Sequence, residues 1–387
     1  MLSCLIKNND NISKCINASN IIGDLTIKNV NDLIDFYNKK HKNNYSHIKI
    51  IDKNIEKLIM KLFDELYDDE KITYFMKIFK NNYNSTCSAT GNHNNYSCIK
   101  TNLLEEIIKN NNYADINDIK KKTEDEDEYR KKLVEIINVK SHSKSELEWN
   151  KHNVYDKLDK KIKRLIDNCY KPSGPIDKEW LNNLEIENFF ERFEDNRGDF
   201  YFIGVFPRDF ANFNNNKINH IDENYLNKIN IEKEKINEEN KKQNLDMVNI
   251  EPITKLGTVF NHDKTGQQGS HWVALFIKIH RKDGKPFDIN AYYFDSVGNP
   301  PKKEYKDYVQ SLFNKFNIKY DESKFKINKI QHQTYGGDCG VYAITFIVRM
   351  MDGEDFDELC KNIIPPDEMN LIRKLIFKDK DIYDDIS

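Results

Sequence analysis

Hydrophobic positions are spaced differently in the two halves of the chain. Up to about Asn150 most positions are polar, and apolar residues recur three and four apart only in short patches, such as residues 54–67 and 127–139. This spacing is typical of amphipathic helices, and the stretches between the patches are too polar to bury much surface. We therefore predict that residues 1–150 form a mostly helical accessory region with polar loops.

Proline and glycine mark the next boundary. The stretch KPSGPI closes residues 151–176 and precedes an amphipathic pattern from Trp180 to about Phe193. Because Pro and Gly interrupt regular structure, we predict a linker over residues 151–176 and a second domain over residues 177–387. In that domain FYFIGVF is typical of a buried strand, whereas the charged residues 212–250 predict an insertion, partly helical and partly disordered.

Strand and helix patterns follow the insertion. HWVALFIKIH, INAYYFDS and KFKINKIQ have the composition of strands, and KKEYKDYVQSLFNKF and PPDEMNLIRKLIF have the period of amphipathic helices. The segment GVYAITFIVRMM, which follows Cys339, is apolar on nearly every side and predicts a helix buried at the centre of its domain. Together these elements predict an α+β fold.

The charge balance excludes some classes of function. The 387 residues include 60 basic and 63 acidic side chains, with a formal net charge of -3, so no global field draws the chain to nucleic acid or an anionic membrane. The apolar runs are far shorter than the ~20 residues of a spanning helix, and the amino-terminal stretch is too polar for a secretory signal. We expect a soluble monomer without a nucleic-acid or membrane partner.

The cysteines bear on compartment and on metals. Seven cysteines are scattered over the chain without a dense framework, which favours free thiols and a reducing, cytoplasmic location. Cys87, His93 and Cys98 form the pattern C-x5-H-x4-C. This pattern lacks the closely spaced ligand pair that is typical of zinc sites. We therefore expect no metal and no cofactor.

Cys339 is the candidate nucleophile. It lies in YGGDCGVY, where a glycine-containing loop turns into the buried helix. An isolated cysteine is most often a small core residue, and a free thiol with a pKa near ~8.5 is mostly protonated at neutral pH. A helix start would favour the thiolate, because unsatisfied backbone N–H groups and the helix dipole stabilise negative charge. The catalytic interpretation therefore depends on its partners.

His271 is the candidate base. It begins the strand HWVALF, Asp295 follows the strand AYYF, and the turn signal KDGK lies almost midway between them. In a hairpin about this turn, facing residues have numbers that sum to about 566 or 567, so His271 meets Asp295 within one residue of register. The carboxylate would then orient the imidazole while the other ring nitrogen faces the thiol. Taken singly, either residue is also explained as a polar residue at a hairpin mouth.

Gln333 is the candidate side-chain donor of an oxyanion hole. It lies six residues before Cys339 and just after a predicted strand, so its amide could reach beside the thiol and add to the backbone N–H of Cys339. Gln331 and His332 are rivals by position. An exposed glutamine at a strand end is the ordinary explanation for any one of them.

These motifs, taken in order, resemble those of a known family. SHW, YYFDS, a glutamine six residues before the cysteine, and GDCGVY resemble the catalytic blocks of the ubiquitin-like-specific (SUMO) protease and adenovirus maturation protease superfamily of cysteine peptidases. A fifth block, EWLNNLEIENFF, resembles the family segment whose tryptophan, here Trp180, helps form a substrate tunnel. FYFIGVFP, YYFDSVGNPP and CGVYAITFIVRM resemble in particular the maturation proteases of large cytoplasmic DNA viruses. The resemblance spans about residues 177–377.

The resemblance implies a fold and a set of roles. The fold is papain-like in permuted order, with a mixed sheet packed on the buried helix that starts at Cys339. The residues implied in catalysis are Cys339, His271, Asp295 and Gln333. The residues implied in substrate binding are Trp180, Trp272, Gly337 and Asp338. A tunnel narrowed by two tryptophans would admit a backbone without side chains, which agrees with the cleavage after Gly-Gly that the resemblance implies.

The expected function is that of a cysteine endopeptidase. It would cleave Gly-Gly-X sites and mature viral structural polyproteins, in the cytoplasm or packaged in virions. An alternative with the same chemistry is removal of SUMO or ubiquitin-like modifiers from host conjugates. A third alternative is a catalytically silent module that binds Gly-Gly tails. The insertion at residues 212–250 and the amino-terminal region have no counterpart in the resemblance, which leaves the substrate open.

Overall fold

The computed structural model describes most of the chain beyond its first quarter. The described residues are 97–379 except 124, 176–178, 195, 196, 215 and 244. The predicted helical patch at residues 54–67 lies outside them, as do Cys87 and His93 of the pattern considered for zinc.

The described chain forms two compact units. The first ends at Gly174 and resumes at Leu375, and the second is Pro175–Lys374. The helices are α1 (Thr101–Asn111), α2 (Ile116–Lys121), α3 (Glu126–Ser141), α4 (Lys160–Asp167), α5 (Asn183–Glu194), α6 (Glu223–Lys242), α7 (Lys303–Lys315), α8 (Cys339–Met351), α9 (Phe356–Lys361) and α10 (Pro366–Ile376). The strands are β1 (Ser173–Gly174), β2 (Phe200–Pro207), β3 (Lys255–Asn261), β4 (Trp272–Lys282), β5 (Lys285–Phe294), β6 (Phe325–Ile327) and β7 (Lys378–Asp379). Short 3-10 turns lie at Glu146–Glu148, Phe210–Asn212, Lys217–His220 and Glu322–Lys324.

The described part of the first unit is mostly helical. α3 covers the predicted patch at residues 127–139 and begins where the carboxylate of Asp125 accepts a hydrogen bond of 2.8 Å from the backbone N–H of Glu128. α1 packs on α3, and the buried residues of the two helices include Leu104 and Leu133. β1 and β7 form a short parallel pair.

The predicted linker at residues 151–176 contains α4. The carboxylate of Asp159 caps this helix by accepting a hydrogen bond of 2.8 Å from the backbone N–H of Ile162. Ile162 and Ile166 are buried, and their spacing of four residues forms the apolar stripe of an otherwise charged segment. The first unit continues to Gly174 instead of ending near residue 150, and Val154, Tyr155 and Tyr170 of this stretch are buried as well.

The second unit is built on a mixed sheet. The strand order is β2-β3-β4-β5-β6, in which the outer pairs β2–β3 and β5–β6 are parallel and the inner pairs are antiparallel. The α+β fold with a mixed sheet is therefore confirmed. β3 is absent from the prediction because Gly257 interrupts its apolar pattern. At this position a Cβ would lie 3.0 Å from the ring of Phe200 and 3.1 Å from Ile347, so close packing requires the glycine.

β4 and β5 form the predicted hairpin. Asp283 and Gly284 both have positive φ, 51° and 76°, which gives the two-residue turn expected of KDGK. A β-bulge between His280 and Arg281 leaves Phe287 unpaired in the opposite strand. Beyond the bulge the register is therefore shifted by one residue from the symmetric prediction.

The sheet is covered on both faces. Alternate residues of β4, such as Val273 and Leu275, belong to a buried cluster with Leu312 of α7. α8 packs on β3 and β4 from the other face, where Phe294 and Phe346 stack with ring centroids 4.9 Å apart. Burial on both faces explains the unbroken apolar run of β4. All of α8 is buried, as predicted.

The insertion at residues 212–250 contains α6, so its helical part is confirmed. Asp222 caps this helix by accepting a hydrogen bond of 2.7 Å from the backbone N–H of Tyr225. Leu226 joins the buried cluster beneath the sheet, while Ile231 and Ile236 are exposed. Among the described helices, α6 included, none is both long and apolar enough to cross a bilayer.

Candidate active site

Cys339 is the first residue of α8, as predicted. Gly336 in the preceding loop has φ 85°, a left-handed conformation that glycine adopts without strain. The backbone carbonyl of Asp338 accepts the hydrogen bond of 2.9 Å from Tyr342 that opens the helix. The thiol therefore lies at a helix amino terminus, where free N–H groups and the helix dipole favour a negative sulfur. Cys339 is 2% exposed.

His271 and Asp295 lie together where β4 begins and β5 ends. The Nε2 of His271 lies 2.7 Å from the Oδ1 of Asp295, whose side chain is fully buried. Burial lowers the pKa of His271, but hydrogen bonds to Asp295 and Cys339, and the negative charges of these two groups, raise it to about 9. Because Nε2 faces Asp295, Nδ1 is the nitrogen left for Cys339. We refer to Cys339, His271 and Asp295 as the candidate catalytic row, because both neighbours raise the pKa of His271.

The carboxylate of Asp295 is fixed by its own neighbours. Oδ1 also accepts a hydrogen bond of 2.9 Å from the backbone N–H of Val297. The amide of Asn328 donates a hydrogen bond of 2.9 Å to the backbone carbonyl of Asp295. The His271 ring is therefore oriented by a residue whose carboxylate and backbone carbonyl are both held by hydrogen bonds.

Gln333 is buried beside this row in the same unit. Its Oε1 accepts a hydrogen bond of 2.7 Å from the hydroxyl of Ser296. Its Nε2 donates a hydrogen bond of 2.7 Å to the carbonyl of Gly336, three residues before Cys339. The amide nitrogen therefore points toward the loop that carries the nucleophile.

The two rivals of Gln333 make other contacts. The side-chain amide of Gln331 donates a hydrogen bond of 3.0 Å to the backbone carbonyl of Gln333. His332 is buried with its Nε2 3.0 Å from the carbonyl of Cys360, and burial lowers the pKa of His332 to about 4. Both side chains therefore have backbone carbonyl partners other than Gly336, which is the partner of the Gln333 amide nitrogen.

Gly337 and Asp338 face the protein interior. The Nη2 and Nε of Arg373 lie 2.7 Å and 3.0 Å from the Oδ1 of Asp338, and both side chains are buried. The carbonyl of Gly337 accepts a hydrogen bond of 3.4 Å from Nη2 of Arg373. The Asp338 side chain therefore binds Arg373, which differs from the expected contact with substrate. The one sequence feature that indicates a buried role for Arg373 is its position within the apolar pattern NLIRKLIF.

Trp180 and Trp272 line one cleft. This cleft of about 420 Å³ is also lined by Leu181 and by the loop at residues 263–269. Trp180 is 52% exposed, whereas Trp272 is buried and its indole N–H donates a hydrogen bond of 2.7 Å to the carbonyl of Leu181. The two predicted tryptophans therefore lie at one site, with the ring of Trp180 exposed and the ring of Trp272 buried and hydrogen-bonded.

Leu181 also connects the cleft to the helix of the nucleophile. A Cβ at Gly340, the residue after Cys339, would lie 3.0 Å from the Cβ and Cδ1 of Leu181. Glycine at this position therefore allows the wall of the cleft to approach the start of α8 closely.

His262 is a residue of the site that the sequence pattern did not indicate. Its ring lies edge-on to that of His271, with centroids 5.2 Å apart, and its backbone N–H donates a hydrogen bond of 2.9 Å to the carbonyl of His271. Burial and the positive charge of His271 lower the pKa of His262 to about 4. His262 is therefore neutral at neutral pH, and it does not compete with His271 for an ion pair with Asp295. His262 follows β3, the strand that was not predicted.

The other described cysteines differ from Cys339. Cys169 and Cys360 are free and buried, and burial raises the pKa of their thiols to about 11 and about 12. Cys98 is disulfide-bonded, which differs from the expectation that the scattered cysteines fit free thiols better than disulfides. Across residues 97–379 with the stated gaps, no three His, Cys, Asp or Glu side chains are grouped as metal ligands would be.

The sequence of this unit matches a known family over most of its length. Residues 193–384 match the Ulp1 protease family, C-terminal catalytic domain. These residues are similar to that catalytic domain, and they include Cys339, His271, Asp295 and Gln333.

Two viral proteases show the extent of the similarity. A putative thiol protease of Acanthamoeba polyphaga mimivirus is 31% identical over 222 residues, which are 56% of this chain and 63% of that protein. A SUMO-1 cysteine protease of African swine fever virus is 26% identical over 128 residues, which are 33% of this chain and 45% of that protein. This chain thus spans less than two thirds of the length of either relative. The similarity is therefore to cysteine proteases and their catalytic domain.

A solved structure also aligns with this chain. The crystal structure of the African swine fever virus protease covers 78% of this chain and 98% of its own chain, with a TM-score of 0.47 and 19% sequence identity.

Proposed function

We propose that this chain is a cysteine endopeptidase that cleaves protein substrates after Gly-Gly. Cys339 is the nucleophile, His271 is the base and then the acid, and Asp295 orients His271. The observation that carries this proposal is the hydrogen bond of 2.7 Å between His271 and the buried carboxylate of Asp295, together with the rise that Cys339, at the start of α8, also causes in the pKa of His271. Such a row is the arrangement that activates a thiol for attack on a carbonyl.

The charge of His271 determines how the row works. A pKa of about 9 keeps the imidazole of His271 protonated at neutral pH. The sulfur attacks the glycyl carbonyl carbon, so an S–C bond forms and the carbonyl oxygen becomes an oxyanion. His271 gives its proton to the leaving amine as the C–N bond breaks. A water molecule then adds to the acyl carbon, its proton passes to His271, and the S–C bond breaks.

The oxyanion needs donors that are in place before the reaction. The backbone N–H of Cys339 lies at a helix start, and the Nε2 of Gln333 is aimed at the loop before it. We assign both to the oxyanion hole, because preorganised donors stabilise charge without reorganisation.

The preference for glycine follows from the cleft. The ring of Trp272 is fixed by its hydrogen bond to Leu181, and the exposed ring of Trp180 lines the same cleft. We infer that the two indoles narrow the path of the substrate before the scissile bond, so glycine residues, which carry no side chain, fit there best.

The substrate we favour is a viral structural polyprotein. Two relatives that match the chain are proteases of large DNA viruses. The alternative is removal of SUMO or a ubiquitin-like modifier from conjugates, which the name of the African swine fever virus relative favours. In either case we propose a monomer that acts in the reducing cytoplasm or inside virions, with protein substrates as its partners and without a nucleic-acid or membrane partner.

The proposal is tested with a library of Gly-Gly-X peptides under reducing conditions. Wild type should give products that end in Gly-Gly by mass spectrometry, and Cys339→Ala should give none. Cys360→Ala is a matched control, because it removes another buried free thiol of the same unit and should cleave as wild type does. Cleavage by Cys339→Ala, or no cleavage by wild type, would contradict the proposal.

The alternatives are separated by two further measurements. A panel of ubiquitin-like proteins with a carboxyl-terminal electrophile should label a deconjugating enzyme rapidly with one member and a polyprotein protease poorly with all. A silent binding module would bind Gly-Gly peptides without cleaving them, and its Cys339 would resist alkylation at neutral pH.

A further inference from the structure

Ser296 and Gln333 form a buried hydrogen bond next to the proposed catalytic row. The hydroxyl of Ser296 donates to the Oε1 of Gln333 at 2.7 Å, and both residues are buried. Ser296 directly follows Asp295, which binds His271. Two consecutive residues at the end of β5 thus hold two separate parts of the site.

Two contacts together hold the amide of Gln333. The carbonyl of Gly336 can only accept, so the Nε2 that donates to it at 2.7 Å must lie on that side. The Oε1 then lies on the side of Ser296, whose hydroxyl donates to it and keeps the amide from rotating. One of the two N–H groups of Nε2 is used by Gly336, which leaves the second for a substrate oxyanion.

We propose that Ser296 is a positioning residue that holds the Gln333 amide in the orientation required for the oxyanion hole. The inference rests on the proposed function, because it gives Gln333 a donor role. Without the hydroxyl, Oε1 loses its partner and the amide rotates more freely, so its second N–H is no longer held toward the developing oxyanion.

The backbone of Ser296 allows this role to be isolated. Its carbonyl accepts hydrogen bonds of 2.8 Å from the N–H groups of both His332 and Gln333. A change of side chain leaves these backbone bonds in place, so Ser296→Ala removes the hydroxyl without releasing the segment that carries Gln333. Ser296→Thr keeps the hydroxyl and serves as the conservative variant.

The test uses the fluorogenic peptide acetyl-Ala-Gly-Gly-aminomethylcoumarin and iodoacetamide. We expect Ser296→Ala to lower kcat by about 10- to 100-fold with little change in KM. The upper end of this range approaches the loss of kcat that follows removal of an oxyanion-hole donor. The alkylation rate of Cys339 should be unchanged, because alkylation forms no oxyanion. Ser296→Thr should recover most of kcat, and Ser296→Ala should have no further effect in a Gln333→Ala background.

A matched control separates this role from general loss of packing. Thr258 is another buried hydroxyl of the same sheet, and it donates a hydrogen bond of 2.9 Å to the carbonyl of Gly204. Thr258→Val should leave kcat unchanged even if it lowers the melting temperature. Equal losses of kcat in Thr258→Val and Ser296→Ala, or slower alkylation in Ser296→Ala, would overturn the positioning role.

A second measurement does not depend on turnover. In protein labelled with ¹⁵N-glutamine, the side-chain NH₂ signals of Gln333 are assigned by their loss in Gln333→Ala. The proposal expects these signals to shift or broaden in Ser296→Ala, because the amide is no longer held. Unchanged signals would overturn the proposal even for a protein that cleaves no peptide, whereas failure of wild type to cleave contradicts the proposed function alone.

Discussion

His271 and Asp295 are hydrogen-bonded at 2.7 Å although they do not face each other across the hairpin. Ala274 faces Phe294, so continuation of this register places Asp295 opposite Val273, two residues from His271. The pair is therefore diagonal, a separation that long side chains bridge. The bulge before the turn sets this offset, and the geometry of the site thus depends on a backbone irregularity at the far end of both strands.

The pH profile should report the charge of Asp295. Hydrogen bonds and charge raise the pKa of His271 to about 9, so kcat/KM should fall as pH rises through about 9 and the imidazole loses its proton. Asp295→Asn keeps an acceptor but removes the charge, so this limb should move down by about one to two pH units. Rates of peptide cleavage from pH 6 to 10 measure the position of this alkaline limb in wild type and in Asp295→Asn. A limb at the same pH in both proteins would show that Asp295 does not set the charge of His271.

Stability should fall in mild acid because of His332. Burial lowers the pKa of this histidine to about 4. The unfolded chain then binds more protons than the folded one between about pH 6.5 and 4, so the free energy of unfolding falls as pH falls through this window, by at most about 3 kcal/mol from this residue. Urea unfolding at pH 7 and pH 5 measures the loss. The loss should be smaller in His332→Phe, and an equal loss would assign the pH dependence to other groups.

Arg373 should be essential for the stability of the second unit. Arg373→Met leaves the buried carboxylate of Asp338 without its cation, which should cost about 3–5 kcal/mol in the free energy of unfolding. Urea unfolding measures this cost, and Asp338→Leu in the same background should recover part of it. Lys303→Met, which breaks the exposed ion pair with Asp307, is the control and should have no measurable effect. Similar results for the two single variants would contradict a structural role for the buried pair.

Trp180 should act on substrate binding and not on folding. Its ring lines the cleft and is half exposed, so Trp180→Ala should raise KM for Gly-Gly peptides about three- to tenfold while the free energy of unfolding stays within about 0.5 kcal/mol. Leu184→Ala removes a neighbouring exposed side chain that does not line the cleft and should leave KM unchanged. An unchanged KM in Trp180→Ala would separate this residue from the substrate path.

The sequence predicted those elements whose burial is regular. α8 is apolar on all sides and β4 is apolar without a break, and both were recognised because they lie between covering layers. The sequence pattern does not predict β3, because Gly257, which packs against Phe200 and Ile347, interrupts the apolar run at the centre of this strand. α4 was assigned to a linker because only two residues anchor it, and local composition does not show what a segment packs against.

The site was predictable where a motif carries its own chemistry. Cys339, His271 and Asp295 were found from spacing and from a turn signal, although the bulge at Phe287 shifted the register by one residue. Arg373 and Ser296 were not singled out, since their contacts are with residues 35 and 37 positions away. Asp338 was assigned to substrate for the same reason, because the sequence does not show that its partner lies in the interior.

The most direct test of the catalytic row is to label the protein with a Gly-Gly peptide that ends in a vinyl methyl ester and to map the modified residue by mass spectrometry. The row predicts modification of Cys339 in wild type, almost none in His271→Ala, and none at Cys169 or Cys360, where burial raises the pKa of the thiol to about 11 and about 12. Labelling of His271→Ala at the wild-type rate, or modification of another cysteine in place of Cys339, would contradict it.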